Sequence, residues 1–374
     1  METPGGDITR GPCPAAIGYN PPMSRTRRSR TLVSLTFGAG VLGLAIVLAA
    51  PVARACGMFL RVREVSPEQR PSLAREKVLI IHDAARGQQH FIREVAFRRA
   101  DQSFGFVVPT PTRPEVATVE KNPFTKLRER FPFATVNSDA RTGRGFGGTG
   151  GGSGGSVGVE VLAVEKVGSF TAFTLAATDA DALASWLKDN QLASTPATER
   201  WLAHYVRMGF YYVAMRYDPP ERARASAPVA AETVRISFAS PLAYYPYFEP
   251  EPDAPTKGPR LLELWYVGTE PVVPVARFAS AGSESSQWVR PLAPGKDRTD
   301  ARGAIEAALY DELEQLLPEG ELVVQTFQDQ KIGRSGYHDI LFGSAAARPL
   351  TPEQQTALAP LLGVLDPGLI EEKH

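Results

Sequence analysis

The chain has 374 residues, with 41 lysines and arginines against 41 aspartates and glutamates, and 43% of its side chains are hydrophobic. That length and apolar content suit a globular protein with one large core or two modest ones. The balanced charge supplies no global field for a polyanion, so nucleic acid is excluded as an expected partner. With only two cysteines, Cys13 and Cys56, a Cys-based zinc centre is excluded as well.

Arg25, Arg27, Arg28 and Arg30 precede a long apolar run at residues 32–52, broken by Gly38, Gly40 and Gly43, and Ala53-Arg54-Ala55 stands before Cys56. A basic segment, an apolar segment and small residues at minus three and minus one mark a secretory signal, so cleavage is expected between Ala55 and Cys56. Residues 1–22 fit no signal, whereas Met23 opens one. We therefore read 1–22 as a non-native or disordered extension and 23–55 as the signal peptide. Three alternatives stay open. The run approaches the ~20 apolar residues that span a bilayer, which suits a retained anchor; Cys56 stands where a lipoprotein carries its lipid; and Arg27-Arg28 echoes a twin-arginine signal. Cleavage after Ala55 leaves Cys56 as the only thiol, so about 320 residues must rely on apolar burial rather than disulfides. The expected location is the periplasm or cell envelope, or the medium, with membrane contact only through this segment or a lipid on Cys56.

In chain order, residues 76–83 and 91–97 form a predicted β-hairpin, with Gly87 in the left-handed position of a three-residue turn. If Ala84 and Gln88 close that turn, Ile81 faces Phe91 and His82 faces His90. Leu79, Ile81, Phe91, Val95 and Phe97 then share the core side. Phe104, Phe106 and Val108 alternate along a third strand, ended by Pro109, Pro111 and Pro114. Asn122-Pro123 opens a short helix through Leu127. From 137 to 158 the pattern is lost, and 143–158 is almost all Gly and Ser, which cannot bury enough surface to offset ordering. We read it as a flexible insertion in one domain.

Residues 159–167 and 170–175 predict a second hairpin turning at Gly168-Ser169. Thr178 or Asp179 caps a helix running to about 190, with Leu183, Trp186 and Leu187 on its buried face. Thr195 and Pro196 open another, whose Trp201, Leu202, Tyr205, Val206 and Met208 call for burial against a sheet. After Gly209, residues 210–217, 233–238, 261–267, 272–278 and 322–327 read as strands. Ile305, Leu309, Leu313, Leu316 and Leu317 place one stripe on a helix from about 301 to Pro318, and 352–362 reads as a last helix. The expected fold class is α+β, with mostly antiparallel sheets and a consecutive helix pair packed on a sheet. Residues 56–345 are expected to form a single domain and 346–374 a C-terminal helix and tail.

Cys56-Gly57, the run Phe-Gly-Phe-Val-Val-Pro-Thr-Pro at 104–111, and Asp179-Ala180-x-x-Leu183-x-x-Trp186-Leu187 followed by Tyr205 and Phe210 resemble a bacterial exported family, domain of unknown function 2330. The resemblance runs from Cys56 to at least Val267. It implies secretion or an envelope location and brings no activity with it. Members often carry Cys-Gly-Gly-Phe-Phe-Cys where this chain has Cys56-Gly57-Met58-Phe59-Leu60-Arg61, so Arg61 breaks any thiol pair there.

Motifs with chemical meaning mostly fail on context. Gly145-x-Gly147-x-x-Gly150 has the letters of a dinucleotide fingerprint without the strand before it and the helix after it. Gly151-x-Ser153-x-Gly155 lacks the strand that presents a nucleophile, and Ser185-x-x-Lys188 falls in mid-helix with no Lys-Thr-Gly triplet in the chain. His82 and His90, as cross-strand neighbours, are the remaining metal or acid–base candidates; a solvated polar pair is the favoured reading, because two ligands hold a metal poorly and His204 and His338 are remote in sequence. Tyr244, Tyr245, Tyr247 and Phe248, set among prolines, would stack on a sugar or cap a partner's groove if displayed on a loop. Their alternative role is to fill the core of a strand. No catalytic residue and no cofactor is expected. The sequence points to an exported bacterial protein that is a non-enzymatic binding or structural protein with an envelope protein or glycan as partner; the alternative is an exported hydrolase or metal-dependent enzyme using His82 and His90.

Overall fold

The run Val78-Leu79-Ile80-Ile81 lacks the polar alternation of a half-exposed strand. In the computed structural model Val78 and Ile80 enter one hydrophobic core and Leu79 and Ile81 another, on opposite faces of a seven-stranded sheet. The structure describes residues 58–61, 72–98, 104–133, 158–192, 194–217, 232–250, 261–279, 286–329, 334, 336–346, 351–352 and 354–356. All of them lie within one unit, Ala49–His374. The expected extension 1–22, the signal 23–55, its junction with Cys56, the Gly/Ser-rich tract to residue 157 and most of the C-terminal helix and tail lie outside the described residues.

The chain opens with strands β1 (Met58–Arg61), β2 (Ser72–Asp83), β3 (Gln88–Arg98), β4 (Phe104–Thr110) and β5 (Glu115–Val119), then helix α1 (Phe124–Arg130). Next come β6 (Val159–Val167), β7 (Phe170–Ala177), α2 (Ala180–Asp189), α3 (Pro196–Arg207) and β8 (Tyr211–Tyr217). They are followed by β9 (Glu232–Ala239), β10 (Ala243–Tyr245), β11 (Leu261–Gly268), β12 (Val272–Ala279), β13 (Ser286–Val289) and β14 (Ala293–Arg298). Short helices α4 (Arg302–Glu306) and α5 (Asp311–Glu314) precede β15 (Val323–Asp329) and β16 (Ile340–Ser344).

The sheets run β14-β15-β11-β2-β3-β9-β5, β1-β4-β8-β7-β6 and β10-β16-β12-β13. Among the described pairs only β11 and β2 are parallel, with Leu264 opposite Val78 and Trp265 opposite Leu79. The α+β expectation with mostly antiparallel sheet therefore holds. The main core gathers side chains from all three sheets, among them Ile80, Phe91, Phe106, Met215, Tyr244 and Leu341. A second core lies on the other face of the seven-stranded sheet, where Phe124, Leu127, Ile305, Leu309 and Leu313 cover Leu79, Ile81 and Trp265.

The helix pair forms as its sequence dictates. Asp179 accepts the Ala182 N–H at 2.7 Å and Thr195 accepts that of Thr198 at 3.3 Å, which satisfies donors that a helix start leaves open. Phe173 of β7 meets Trp186 of α2 edge-on, with ring centres 5.2 Å apart, and the Tyr212 hydroxyl of β8 reaches the Leu202 carbonyl of α3. Gly105 makes the approach possible: a Cβ there would collide with the Leu192 side chain and the Met215 carbonyl.

Two expectations need correction. The β2–β3 loop has four residues, so Ile80 lies opposite Phe91, Ile81 opposite His90 and His82 opposite Gln89. Gly87 does adopt a left-handed φ of 57°. The extra loop residue is Ala84, and the carboxylate of the preceding Asp83 accepts the Arg86 N–H at 3.0 Å and so closes a side-chain turn. A slip of one residue exchanges the two faces of a strand, which moves Leu79 and Ile81 away from Phe91. The single helix expected from 301 is instead broken at Tyr310, extended at φ −114° and ψ 160°, where α5 starts. The Tyr310 ring lies beneath the ammonium groups of Lys126 and Lys121, and three acidic residues in the first turn of α5 suit a new helix start.

Candidate functional site

The register places His82 and His90 on opposite faces of the hairpin, so they are neither the cross-strand polar pair favoured from sequence nor the alternative two-histidine site. His82 is buried, and its Nε2–H donates to the Ser240 carbonyl at 3.0 Å. Burial lowers its pKa, against the Ser240 hydrogen bond and the charges of Asp83 and Glu270. His90 pairs Nδ1 with the Ser237 hydroxyl at 2.8 Å, and burial, aided by the Arg235 charge, pushes its pKa down to about 4. Among the described residues no three His, Cys, Asp or Glu side chains converge as a metal-binding set.

The expected aromatic display is corrected too. Tyr244, Tyr245 and Tyr247 are each 0% exposed, and Phe248 is half-buried. Their segment is drawn inward at both levels. Gln89 accepts the Tyr244 N–H and donates to its carbonyl, each at 2.7 Å. The Tyr244 hydroxyl donates to Asp339 and the Tyr247 hydroxyl to Asp329, again at 2.7 Å.

Asp339, at the entry to β16, is the hub of the first polar cluster. Its carboxylate accepts the Tyr205 hydroxyl at 2.8 and 3.0 Å on its two oxygens, the Tyr244 hydroxyl, and the Phe248 N–H at 2.9 Å. Burial raises its pKa to about 6, although the donors from Phe248, Tyr244 and Tyr205 oppose the rise. Burial, then the Asp339 charge, keeps both tyrosines protonated far above the usual range, so they remain donors. One carboxyl thereby ties α3, β10 and the strand β16 together.

A second cluster is ionic. Arg334 sets its Nε 3.1 Å from Asp329 and its Nη1 3.8 Å from Glu249 and 3.9 Å from Glu76, while Arg93 Nε stands 3.3 Å from Glu76. All five are buried, and the guanidinium groups lie over the Tyr247 and Phe106 rings at 4.5 and 5.0 Å.

The third arrangement faces outward. Arg277 of β12 lies opposite Trp288 of β13, and on its other side Tyr337 bridges Phe278 while the His338 N–H donates to the Arg277 carbonyl at 2.8 Å. In that antiparallel register Trp288, Arg277 and His338 occupy one face. The His338 ring centre is 5.8 Å from that of His204 on α3, and Phe248 lies 5.2 Å from His204. All five are half-buried. His204 is pushed down to about 4 by burial, then by His338 and Arg207; His338 is lowered by burial and Arg277. Both imidazoles are neutral at pH 7. Separation in sequence hid this row and both clusters from sequence reading.

These shifts fix a pH response. Four imidazoles bind protons less readily in the folded chain than at the usual 6.5, so as pH falls from about 6.5 to 4 the unfolded chain takes up more protons and stability is lost. Asp339 acts in the opposite sense, binding its proton near pH 6 when folded and near 3.8 when unfolded, which adds stability over that window. Four groups against one give a net loss. The thermal unfolding midpoint should therefore drop between pH 6.5 and 4, and His90→Gln should make the drop shallower; a midpoint that rises on acidification would contradict this balance.

Sheets of this order around a shared core, with a capped helix pair on the five-stranded sheet, define an α+β protein. The family model described as "Uncharacterized protein conserved in bacteria (DUF2330)" matches residues 50–248, more than half of the chain. The chain belongs to that family. No curated protein matches it. Among solved structures it is similar to the crystal structure of baculovirus P35, at 8% identity over 74% of this chain and 97% of that one, with a TM-score of 0.32.

Proposed function

We propose that this family member is exported and acts in the cell envelope, or outside the cell, as a non-enzymatic binding protein whose partner is an envelope protein or a glycan. The observation that carries the reading is the use made of Asp339: its carboxylate is taken up by Tyr205, Tyr244 and the Phe248 N–H inside the fold. This buried acid thus serves as a fastening, while the Trp288 indole N–H, in the half-buried row from Trp288 to Phe248, has no hydrogen-bond partner among the described residues. The arginine-led apolar segment ending at Ala55 supports export. Within this reading 56–345 is one domain, with 137–158 an insertion and 346–374 a tail.

Fractionation of cells expressing the tagged full chain, with N-terminal sequencing of the product, tests the export half. A chain beginning at Cys56 in the envelope or medium is the expected result, with an acylated N-terminal peptide marking the lipid variant. A product retaining residues 23–55 and confined to the cytosol would overturn it. Pull-down from envelope fractions tests the binding half, with a saturable partner expected.

A further inference from the structure

We propose that the face of β9 carrying Thr233, Arg235 and Ser237 is a binding site for a ligand carboxylate, apart from the row that runs from Trp288 to Phe248. Alternate residues of a strand share one side, and the register fixes their neighbours. On β3 these are Glu94, Ile92 and His90, and on β5 they are Val119, Ala117 and Glu115. Ile92 and Val119 belong to the second core, so the three residues lie on that side of the seven-stranded sheet, one strand in from its β5 edge.

Two donors on this face are unused. The Arg235 Nε–H and the Thr233 hydroxyl are buried, and neither has a hydrogen-bond partner among the described residues. Buried polar groups are seldom left so, and a charge drawn out of water is costly unless an opposite charge or hydrogen bonds replace the solvent. Arg235 also forms no ion pair among the described residues, because the acids around it are engaged elsewhere or turned to solvent. Glu94 pairs with Lys77 at 2.7 Å and accepts from Asn122, and Asp83 is taken by Arg86. Glu115, opposite Ser237, is exposed.

The surroundings select a carboxylate. A guanidinium edge meets two carboxylate oxygens side by side, and the Thr233 hydroxyl supplies a further donor. Alternate residues on a strand lie ~6.6 Å apart, a gap the long arginine side chain crosses. His90 is tied to Ser237 at 2.8 Å and is neutral at pH 7, so it adds hydrogen-bonding capacity and no second charge. Ala117, half-buried opposite Arg235, ends at a methyl group and puts little bulk between the guanidinium and the sheet edge. Glu115, the next residue of β5 on that side, repels a dianion more than a monoanion, which sets a carboxylate above a phosphate.

Acetate is the probe, offered as a radiolabel in equilibrium dialysis at pH 7 to the full chain purified as its host processes it. One acetate per chain is expected, with a dissociation constant of about 1 mM, and inorganic phosphate at equal ionic strength should bind at least about tenfold more weakly. Arg235→Met, which keeps an apolar stem, should weaken acetate binding about tenfold or more. In acetate-free buffer its unfolding midpoint should equal or exceed that of the parent, since the change removes a charge without a partner; an arginine kept for structure would leave the variant less stable. Acetate should raise the parent's midpoint beyond the effect of equal chloride, and should not do so for Arg235→Met. Thr233→Val should weaken binding several-fold, and Glu115→Gln should narrow the gap between acetate and phosphate. No saturable acetate binding, binding unchanged in Arg235→Met, or phosphate held more tightly than acetate would overturn the proposal. Export and partner capture are read by separate experiments and stand or fall without it.

Discussion

Arg334→Met is expected to destabilise the protein by about 3–5 kcal/mol, because removing one partner of a buried ion pair strands the other in a medium that cannot solvate it. Within the cluster the loss is severe: Glu76, Glu249 and Asp329 would all lose the Arg334 guanidinium, and all are buried. The Tyr247 ring would also lose the guanidinium 4.5 Å above it. Urea unfolding followed by tryptophan fluorescence measures the loss. Adding Asp329→Asn should recover part of it, since the second change removes a stranded charge. A double variant no more stable than Arg334→Met would show that the two side chains are not coupled.

Asp339→Ala should cost about 3–5 kcal/mol through a different route. Two phenols and one backbone N–H lose their acceptor at once, and each buried unsatisfied donor costs about 1–3 kcal/mol. Asp339→Asn keeps an acceptor and should lose less. It also removes the one group that adds stability on acidification, so its unfolding midpoint should fall more steeply between pH 6.5 and 4 than that of the parent. If Asp339→Ala lost under about 1 kcal/mol, the tyrosines would have found other acceptors, and Asp339 would not be the fastening we describe.

Much of the fold was legible where the signal was local. The caps Asp179 and Thr195, the turn at Gly168-Ser169 and the left-handed Gly87 each depend on residues a few positions apart, and each is found as expected. The β2–β3 register failed because one carboxylate, Asp83, lengthened the loop by a residue, which hydrophobic alternation cannot reveal in a strand buried on both faces. The tyrosine segment failed for a related reason. Tyr244 and Tyr245 are adjacent and both buried, so no period of two marks an inner side, and the acids that receive the Tyr244 and Tyr247 hydroxyls are 95 and 82 residues away. The nearest local sign was the lone acid in Tyr337-His338-Asp339-Ile340-Leu341-Phe342, an aspartate enclosed by rings and aliphatic groups.

The parallel contact of β11 with β2 sets a timetable for the chain. The stretch matched by the family model ends at residue 248, so β2 and β3 belong to it while β11, β14 and β15 do not. A fragment cut at that boundary would leave β2 with one side of its backbone unpaired and its apolar faces only partly covered, an open template for aggregation. In a chain delivered N-terminus first, Val78 must wait for Leu264 before its sheet can close. Such long-range pairing is slow to form, so one edge of β2 waits for β11 although its hairpin with β3 is local.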